Sequence, residues 1–574
     1  MPGKELLQPQ EMLEDLSYIT SVIQQVHPAL TSRFARDEFA ARAGAMKAQL
    51  QQPLSAWRFF ALANALVSSL QDAHTILWPP DAGLLPVGLT WAEDGIVVTQ
   101  VLDPTLPVRP GDELVSLGGR TPEQLLTELS AWIPHGNLYW VKAVGGQYLG
   151  NGIVLQGLGL VQEQEQEQEQ GQKREREREQ GAGGETVHMV VRRPHPVVSR
   201  RAPSDAAASA GVTATDGTTA SASTGTNISA RIPIWDGLTI TQTVEDTDAA
   251  TGRTSSPAAE AGLRPGDRIL KVEGAPVLST DDLGRAIQEC GSQGRAIHLE
   301  VLRRGQRLTF TVHPIPRRDP GAPETVYVIG VASGGVPAAE PRPWFGWTVD
   351  RSAEYGLFWL DRCDNTKAYR QAVDEFFAAV QKDDIQSVAI DLRRNGGGNS
   401  MVVSAFLKYL PYSNLRAVSR WTRFSPQLAQ QRSFWLSVLT FLSQTFFNGR
   451  WFPYPIQPRA RANQLFRGQV YVLTSWHSFS SAVDFAALLS DNHLAQVVGT
   501  PTGGTPSEYG DILNFRTPNT GWAFNVSTTR FVRPDPARDP ADALYPDVPI
   551  SATMRDIREG RDPVLEWLRR QREM

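Results

Sequence analysis

Apolar residues recur at intervals of three and four over residues 12–80, which is the spacing of amphipathic helices. Ser55 stands where the N-cap of the third helix is expected. The three apolar faces consist of Leu16, Ile19, Ile23 and Val26, then Phe39, Ala43, Met46 and Leu50, then Phe59, Leu62, Leu66 and Leu70. Three amphipathic helices make a small bundle, which we assign to residues 1–80.

A sequence repeat follows the helices. Residues 108–119 read VRPGDELVSLGG, and residues 263–274 read LRPGDRILKVEG. Both copies place Pro-Gly-Asp in a tight turn ahead of a strand that ends in glycine. We therefore predict two related β domains, one over residues 81–198 and one over residues 232–318.

Two segments of biased composition lie between the repeats. Residues 161–185 alternate Glu with Gln and Arg with Glu, and residues 199–230 are rich in Ser, Thr, Ala and Gly. Neither segment can bury enough apolar surface to offset its ordering entropy, so no structure is expected there. Residues 185–193 read as a strand that closes the first β domain. The first segment is then a loop insertion, and residues 199–231 are a linker.

The last domain, residues 319–574, opens with a strand, a helix and a second strand. The strands are Tyr355–Leu360 and residues 388–390. The apolar face of the helix consists of Val373, Phe376, Phe377 and Val380. This order is the crossover unit of a parallel sheet, whose ligand sites lie at the carboxyl ends of the strands.

An aromatic-rich insertion at residues 420–459 interrupts this domain. Its large rings are Trp421, Phe424, Phe434, Trp435, Phe441, Phe446, Phe447, Trp451 and Phe452. A lid or substrate wall is one interpretation, because apolar closure excludes water. A core subdomain and a membrane-surface helix are the alternatives.

Composition excludes several function classes. The 56 basic and 61 acidic residues give a net charge of -5, so no nucleic acid partner is expected. Cys290 and Cys363 are too few and too far apart for a disulfide framework or a zinc site, and they are interpreted as core thiols. No metal or cofactor is predicted.

No membrane or export segment is expected either. The apolar stretch at residues 434–447 is too short and too polar to span a bilayer. The first residues lack a basic region followed by an apolar run, so no signal peptide is predicted. The expected location is the cytoplasm, or outside it if the natural chain begins further upstream.

Candidate chemistry lies where a strand meets a helix. Residues 470–473 read as a short buried strand, and Ala482, Phe485, Ala486 and Leu489 recur at helical spacing. Ser480 therefore lies at a helix N-terminus, where unpaired N–H groups suit a serine whose attack on a carbonyl generates an oxyanion. Alternatively, Ser480 and the neighbouring serines are ordinary N-caps.

A glycine triplet follows another buried strand. Residues 387–400 read SVAIDLRRNGGGNS. Three consecutive glycines after a strand let the backbone approach a ligand closely and direct N–H groups at it. A flexible loop is the alternative interpretation.

Three motifs occur in order: DLRRNGGGNS, TSWHSFSSAVDFA and VVGTPTGGTPSEYGD. Together they resemble the tail-specific (C-terminal processing) serine peptidases from about residue 355 to the C-terminus. The resemblance implies a peptidase with an α/β core of the crotonase/ClpP-like type, and the attacking oxygen would belong to Ser480. The backbone N–H groups of Ser481 and Gly397 would then form the oxyanion hole.

The resemblance departs from the family at one position. Many members use a lysine as general base where Thr505 stands here, and no lysine follows Lys408. The tricorn-like branch instead pairs its serine with a histidine and a carboxylate. The match to that branch nominates His74, just beyond the third helix, as general base, although a capping role is the alternative and His477 is a rival base.

The carboxylate that would orient the histidine has two candidates. Residues 539–547, DPADALYPD, match the ending that carries this acid in the tricorn-like branch, which points to Asp539. Glu508 is the second candidate, and the sequence does not decide between them.

The second repeat resembles a PDZ domain of the kind attached to bacterial proteases. Gly237, Leu238, Thr239 and Ile240 would form its peptide-binding loop and strand, which would capture the C-termini of protein or peptide substrates. The first repeat is a degenerate copy, expected to pack against the core. The expected fold is thus multidomain α+β, with a helical bundle, PDZ-like domains and the peptidase core.

Three functions compete. A serine peptidase working through an acyl-enzyme is the leading hypothesis. An inactive scaffold that binds peptides through its PDZ domain is favoured by the missing lysine and by Val483, which stands where many relatives carry glutamate. Another acyl hydrolase on a related fold is the third. Substrate and oligomeric state are not predicted.

Overall fold

The computed structural model of the protein describes residues 6–80, 83–163, 182–194, 225–235, 238–240, 242–243, 246–247, 254–277, 280–304, 306–317, 326–328, 331–332, 342–432 and 465–571. Helices and strands are mixed within it, as expected of a multidomain α+β protein.

Three helices open the chain, where the apolar spacing predicts them. They are α1 (Pro9–Val26), α2 (Arg33–Lys47) and α3 (Ala56–Ser68), joined by the strand pair β1 (Leu6–Leu7) and β2 (Leu54–Ser55). Pro9 begins α1 without losing a hydrogen bond, and Glu11 accepts the backbone N–H of Gln8 in a capping box.

The helices share their core with the C-terminal domain instead of forming a separate bundle. The ring of Tyr18 meets Phe524 edge-on at 6.0 Å, and Phe59 stacks on Trp522 at 5.3 Å. One cluster of buried apolar residues runs through these helices, the first β domain and the strands around residue 524. Amphipathic periodicity identifies a helix face that needs a partner, but it does not identify the partner.

The first β domain contains both strands and helices. They are β3 (Val87–Ala92), β4 (Gly95–Val101), β5 (Glu113–Leu117), α4 (Pro122–Ser130), α5 (Leu138–Leu149), α6 (Gly152–Gly157), β6 (Val161–Glu163), β7 (Ala182–Pro194) and β8 (Gly225–Trp235). Strand order is β3-β4-β5-β7-β6, with β8 on β7. Strand β7 includes the predicted closing strand.

Two boundaries of the low-complexity segments need correction. Residues 225–230, predicted as linker, belong to β8, and residues 161–163 and 182–185 belong to β6 and β7. Within β8, Ala230, Ile232 and Ile234 are buried at alternate positions. This alternation is a strand signal that the Ser, Thr and Ala content of the preceding segment obscures. Residues 164–181 and 195–224 lie outside the described residues.

Helix α5 lies across strand β3 of the first β domain. A Cβ atom added to Gly146 would lie 2.0 Å from the carbonyl oxygen of Leu89, and one added to Gly145 would lie 2.7 Å from the ring of Trp91. The two glycines therefore let the helix backbone touch the strand.

The second β domain repeats the central turn of the first. Its elements are β9 (Leu238–Thr239), β10 (Gln242–Thr243), β11 (Asp246–Thr247), β12 (Thr254–Ser255), α7 (Pro257–Glu260), β13 (Arg268–Val272), β14 (Ala275–Pro276), α8 (Thr280–Ser292), β15 (Ile297–Arg303), β16 (Gln306–Val312), β17 (Ile315–Arg317), β18 (Val326–Val328) and β19 (Val331–Ala332). Arg303 donates two hydrogen bonds to Asp267, and Arg193 does the same to Asp112 in the first domain. The predicted repeat is therefore structural.

The C-terminal domain is built on a six-stranded sheet of order β20-β21-β22-β24-β25-β28. Its elements are β20 (Phe345–Asp350), β21 (Tyr355–Leu360), α9 (Lys367–Lys382), β22 (Ser387–Asp391), α10 (Val403–Leu407), β23 (Ser419–Thr422), α11 (Pro426–Arg432), β24 (Gln469–Thr474), α12 (Ser481–Asp491), β25 (Gln496–Gly499), β26 (Tyr509–Arg516), β27 (Ala523–Val532), β28 (Val548–Pro549), α13 (Met554–Glu559) and α14 (Pro563–Arg570). Within this sheet β21, β22, β24, β25 and β28 run parallel to one another, and β20 is antiparallel to β21.

The sheet order brings the two sequence motifs together. Strand β22 ends at Asp391, β24 ends at Thr474, and the two are parallel neighbours with Asp391 beside Leu473. The glycine triplet and the serine turn follow at the same edge, as the crossover pattern predicts.

The aromatic-rich insertion lies mostly outside the described residues, which stop at 432 and resume at 465. Of the insertion, β23 and α11 are described, and β23 pairs with β27. Among the described residues, none of the helices has the length and apolarity to cross a membrane, and no group of His, Cys, Asp and Glu side chains could hold a metal ion.

Candidate active site

Ser480 occupies a strained turn directly before α12. Its φ is 54° and its ψ is -130°, a positive φ that a residue with a side chain rarely adopts and that costs about 1–3 kcal/mol. Its side chain makes no capping hydrogen bond to the helix. Ser480 is therefore not an ordinary N-cap.

The neighbouring serines have structural roles. The Ser478 hydroxyl donates to the carbonyl of Leu392 at 2.8 Å, and the Ser481 hydroxyl donates to the carbonyl of Gly398 at 2.7 Å. Both bonds tie the serine turn to the segment that follows β22. The Ser481 N–H is the first of the helix, so it has no acceptor within the helix.

Gly397 packs directly against Ser480. A Cβ atom added to this glycine, whose φ is 99°, would lie 2.6 Å from Ser480 Cβ and 3.1 Å from Ser480 Oγ. The Gly397 N–H donates to Asn395 Oδ1 at 2.8 Å. This amide is therefore already hydrogen-bonded. Position 397 needs a glycine because the Cβ atom of any larger residue would clash with Ser480.

Asn395 joins the two turns, a role that the sequence analysis missed. It is fully buried, its Nδ2 donates to the carbonyl of Leu360 at 2.8 Å, and its own carbonyl accepts the N–H of Phe479 at 3.0 Å. An asparagine immediately before a glycine triplet was the available signal, because Asn side chains commonly hold turns through backbone hydrogen bonds.

His74 reaches the site through backbone pairing with the C-terminal domain. Just after it, Ile76 and Asn525 exchange backbone hydrogen bonds of 3.2 and 2.8 Å, so this segment runs beside β27. The His74 ring stacks on Phe479, the residue before Ser480, with centroids 4.5 Å apart. The structure thus brings the predicted base and nucleophile into one region.

The His74 imidazole makes no strong hydrogen bond. Its Nε2 is buried without a partner within the described part of the chain, and its Nδ1 lies 3.9 Å from Asp72 Oδ1. Burial lowers the pKa of His74, while the negative charges of Asp72 and Asp511 act to raise it. The neutral imidazole is therefore favoured.

Asp72 is the carboxylate beside His74, and the sequence analysis did not nominate it. It accepts the hydroxyls of Thr75 (2.6 Å) and Ser527 (2.7 Å) and contacts His27 Nε2 at 3.0 Å. Although burial alone would raise the pKa of Asp72, the hydrogen bond and the charge of His27 hold it well below its usual range. The sequence signal that indicates Asp72 is its position, two residues before the histidine.

The two nominated carboxylates lie elsewhere in the site. The Glu508 carboxyl is buried beside the Ser480 hydroxyl. Burial, and then the charges of Asp484 and Asp72, raise the pKa of Glu508 well above its usual range. Asp539 accepts a short hydrogen bond from the Ser507 hydroxyl. Neither forms a described hydrogen bond with His74.

His477, the rival base, and Thr505, at the position of the family's lysine, both lie near Ser480 in the sequence. The side chain of His477 is exposed on the serine turn. The Thr505 hydroxyl donates to the carbonyl of Ser507 at 3.0 Å, so it helps to fold the turn before Glu508.

A small apolar pocket adjoins the site. Its lining residues are Ser400, Val403, Val418, Arg420, Asp484, Phe485, Leu488 and Phe531. Asp484 lies one helical turn after Ser480, and Phe531 lies 3.2 Å from a Cβ added to Gly510. Burial and the charge of Asp511 raise the pKa of Asp484 to about 7.

The nominated peptide-binding residues are internal to the second β domain. The side chains of Leu238, Thr239 and Ile240 are buried, and Leu238–Thr239 pairs with β13. The Ile240 N–H donates to the carbonyl of Asp267 at 2.8 Å. Gly237 lies outside the described residues.

Sequence profiles of two families match the chain. Peptidase family S41 matches residues 360–550, and a PDZ domain matches residues 250–303. The chain is 34% identical over 90 residues to a putative zinc metalloprotease of Xylella fastidiosa (strain Temecula1 / ATCC 700964), which is 15% of this chain and 19% of that protein. The chain thus spans about a fifth of that relative.

Solved structures extend the comparison to the fold. Mature CPAF has a TM-score of 0.53 and 13% identity, covering 98% of this chain and 96% of that one. The photosystem II D1 C-terminal processing protease has a TM-score of 0.27 and 16% identity, covering 55% and 72%. The first similarity shows a shared fold.

These assignments confirm the predicted peptidase core and PDZ domain, and they support a serine-type peptidase. The protein carries a peptidase family S41 domain joined to a PDZ domain.

Proposed function

We propose that the protein hydrolyses peptide bonds of protein or peptide substrates, with Ser480 as nucleophile and His74 as general base. The observation that carries the proposal is the backbone of Ser480, held at a φ of 54° before a helix and against Gly397. A hydroxyl with no capping role in a strained turn is expected of a reactive group.

The proposed reaction proceeds through an acyl-enzyme. Ser480 Oγ attacks the substrate carbonyl carbon while its proton passes to His74 Nε2. The tetrahedral intermediate then loses the amine, which takes the proton from His74, and leaves an ester on Ser480. Water, deprotonated by His74, hydrolyses the ester and restores the hydroxyl.

The resting site must rearrange for the first step. The Ser480 hydroxyl lies beside Glu508, and His74 Nε2 has no partner among the described residues. Rotation of the Ser480 side chain would exchange Glu508 for the imidazole, a change that substrate binding commonly produces. Asp72 would then stabilise the imidazolium by its charge.

A backbone donor for the oxyanion lies next to Ser480. The N–H of Ser481 is a first-turn amide at the positive end of the helix dipole. The N–H of Gly397 is the second candidate, and it would have to exchange Asn395 Oδ1 for the oxyanion.

The PDZ domain would present the substrate. Loop and strand residues 237–240 are proposed to receive a substrate C-terminus, as in other PDZ domains. This role is independent of the chemistry at Ser480, so loss of one leaves the other intact.

Labelling with a fluorophosphonate probe tests the nucleophile directly. We expect the parent protein to be labelled and to cleave an unstructured protein, and Ser480→Ala to do neither, with turnover lower by about 10³–10⁶. Undiminished cleavage by Ser480→Ala would exclude this serine.

An inactive peptide-binding scaffold is the second candidate. It is favoured by His74 Nε2, which has no partner in the described part of the chain, and by the position of the Ser480 hydroxyl beside Glu508. An unlabelled parent protein that still binds peptide C-termini would support this function.

A further inference from the structure

Three aromatic rings lie in contact beside the nucleophile. The Trp140 ring stacks on Phe479 with centroids 4.0 Å apart and planes at 19°, and the His74 ring stacks on Phe479 at 4.5 Å and 29°. Both contacts are stacked, and the ring contacts of the described residues include none between Trp140 and His74, which places Phe479 between them. Phe479 also directly precedes Ser480.

Stacking is the main restraint on the His74 ring. Neither ring nitrogen makes a hydrogen bond of normal length to the described residues, since Nε2 is unpartnered and Nδ1 lies 3.9 Å from Asp72. Only the backbone N–H of His74 bonds Asp72, at 3.0 Å. The plane of the imidazole is therefore set by the plane of Phe479.

Trp140 is itself held firmly, by the first turn of helix α5. Its backbone N–H donates to Asn137 Oδ1 at 2.9 Å, and Asn137 Nδ2 donates to the carbonyls of Thr502 (3.3 Å) and Asp542 (2.5 Å). A Cβ added to Gly503 would lie 2.9 Å from the Trp140 ring. These hydrogen bonds and this packing contact hold the first β domain against the loops that surround Ser480.

We propose that Trp140 is a positioning residue that fixes the catalytic imidazole through Phe479. This role rests on the proposed function of His74. It makes the first β domain, whose strand β3 is covered by α5, a structural part of the catalytic site. Nothing in this role requires that domain to bind peptide.

The test compares Trp140→Ala with Trp140→Phe and with Tyr139→Ala. Tyr139 precedes Trp140 on the same helix, but its ring contacts Tyr545. We expect Trp140→Ala to lower kcat by about 10- to 100-fold with KM little changed, because a small misplacement of a catalytic group has that effect. Trp140→Phe should restore most of the loss, and Tyr139→Ala should resemble the parent.

A second measurement needs no catalysis. In a Ser480→Ala background, the pKa of His74 is followed by NMR of its ring protons. Asp72 and Asp511 are the charged groups that act on this imidazole. Trp140→Ala should raise the pKa of His74 by about half a pH unit or more, because water reaches the ring, and Tyr139→Ala should leave it unchanged.

The outcomes separate this proposal from the proposed function. A parental kcat in Trp140→Ala, or a raised KM with unchanged kcat, would overturn the positioning role, as would an unchanged pKa of His74. Cleavage that survives Ser480→Ala would instead overturn the proposed function, and the NMR result would still decide whether Trp140 restrains the imidazole.

Discussion

Gly397 and Ser480 are packed so closely that no side chain fits between them. A Cβ atom at position 397 would lie 2.6 Å from Ser480 Cβ, closer than Cβ atoms approach in proteins. The adjacent Gly396 has no atom within 4 Å of its added Cβ. A methyl group would therefore clash with Ser480 at position 397 but would meet no atom at position 396.

Gly397→Ala should lower kcat/KM by at least about 10²-fold, because the methyl group displaces the nucleophile from its productive position. Gly396→Ala is the matched control and should retain most of the activity. Fluorophosphonate labelling rates measure both effects. Equal labelling of the two variants would contradict the packing argument.

His74→Ala should reduce turnover by about 10⁶, because removing the histidine of a serine peptidase costs about as much as removing its whole triad. His477→Ala changes an exposed residue of the serine turn and should have little effect. Steady-state cleavage of an unstructured protein by the two variants decides between them. The reverse order of effects would transfer the role of base to His477.

Asp72→Asn should lower the pKa of His74, because the Asp72 charge acts to raise it. The acidic limb of the kcat/KM profile should therefore move to lower pH. The plateau should fall by about 10²–10⁴, since the imidazolium loses its counter-charge. Asp539→Asn serves as the comparison, because that carboxylate bonds Ser507 and not His74. A larger fall for Asp539→Asn would return the orienting role to it.

Asp484→Asn should stabilise the protein at alkaline pH. The pKa of Asp484 is raised from 3.8 to about 7, so the folded state binds its proton more tightly than the unfolded state does. The stability from this group is full below pH 3.8, falls as the pH rises to about 7, and then stays constant.

Thermal unfolding at two pH values tests this sign. At pH 8 the variant should unfold about 2–4 °C above the parent, and at pH 4 the gain should disappear. Asp37→Asn, an exposed change on α2, is the control and should shift stability by less than about 0.5 kcal/mol at either pH. A gain at pH 4 equal to that at pH 8 would be inconsistent with the raised pKa.

Local patterns predicted the elements of the site but not its contacts. Strand Tyr355–Leu360, the repeated Pro-Gly-Asp turns and the strand-to-helix turn at Ser480 all follow from short-range spacing, because each is decided by neighbouring residues. The sheet order β22-β24 also follows, since parallel crossovers place successive motifs at one edge.

Sequence patterns do not predict contacts between residues that are far apart in the chain. Asn395, Asp72 and Trp140 act through partners far away in sequence, and their side chains carry no periodic signal. The shared core of the first helices with Phe524 was missed for the same reason. Glu508, predicted as a candidate for the carboxylate that orients the histidine, lies beside Ser480, and no described hydrogen bond joins it to His74.

The pairing of Ile76 with Asn525 has a consequence for biosynthesis. A ribosome makes the imidazole early and the hydroxyl late, and β27, which aligns the first with the second, emerges later still. The catalytic centre proposed here therefore cannot assemble in a nascent chain until β27 has left the ribosome.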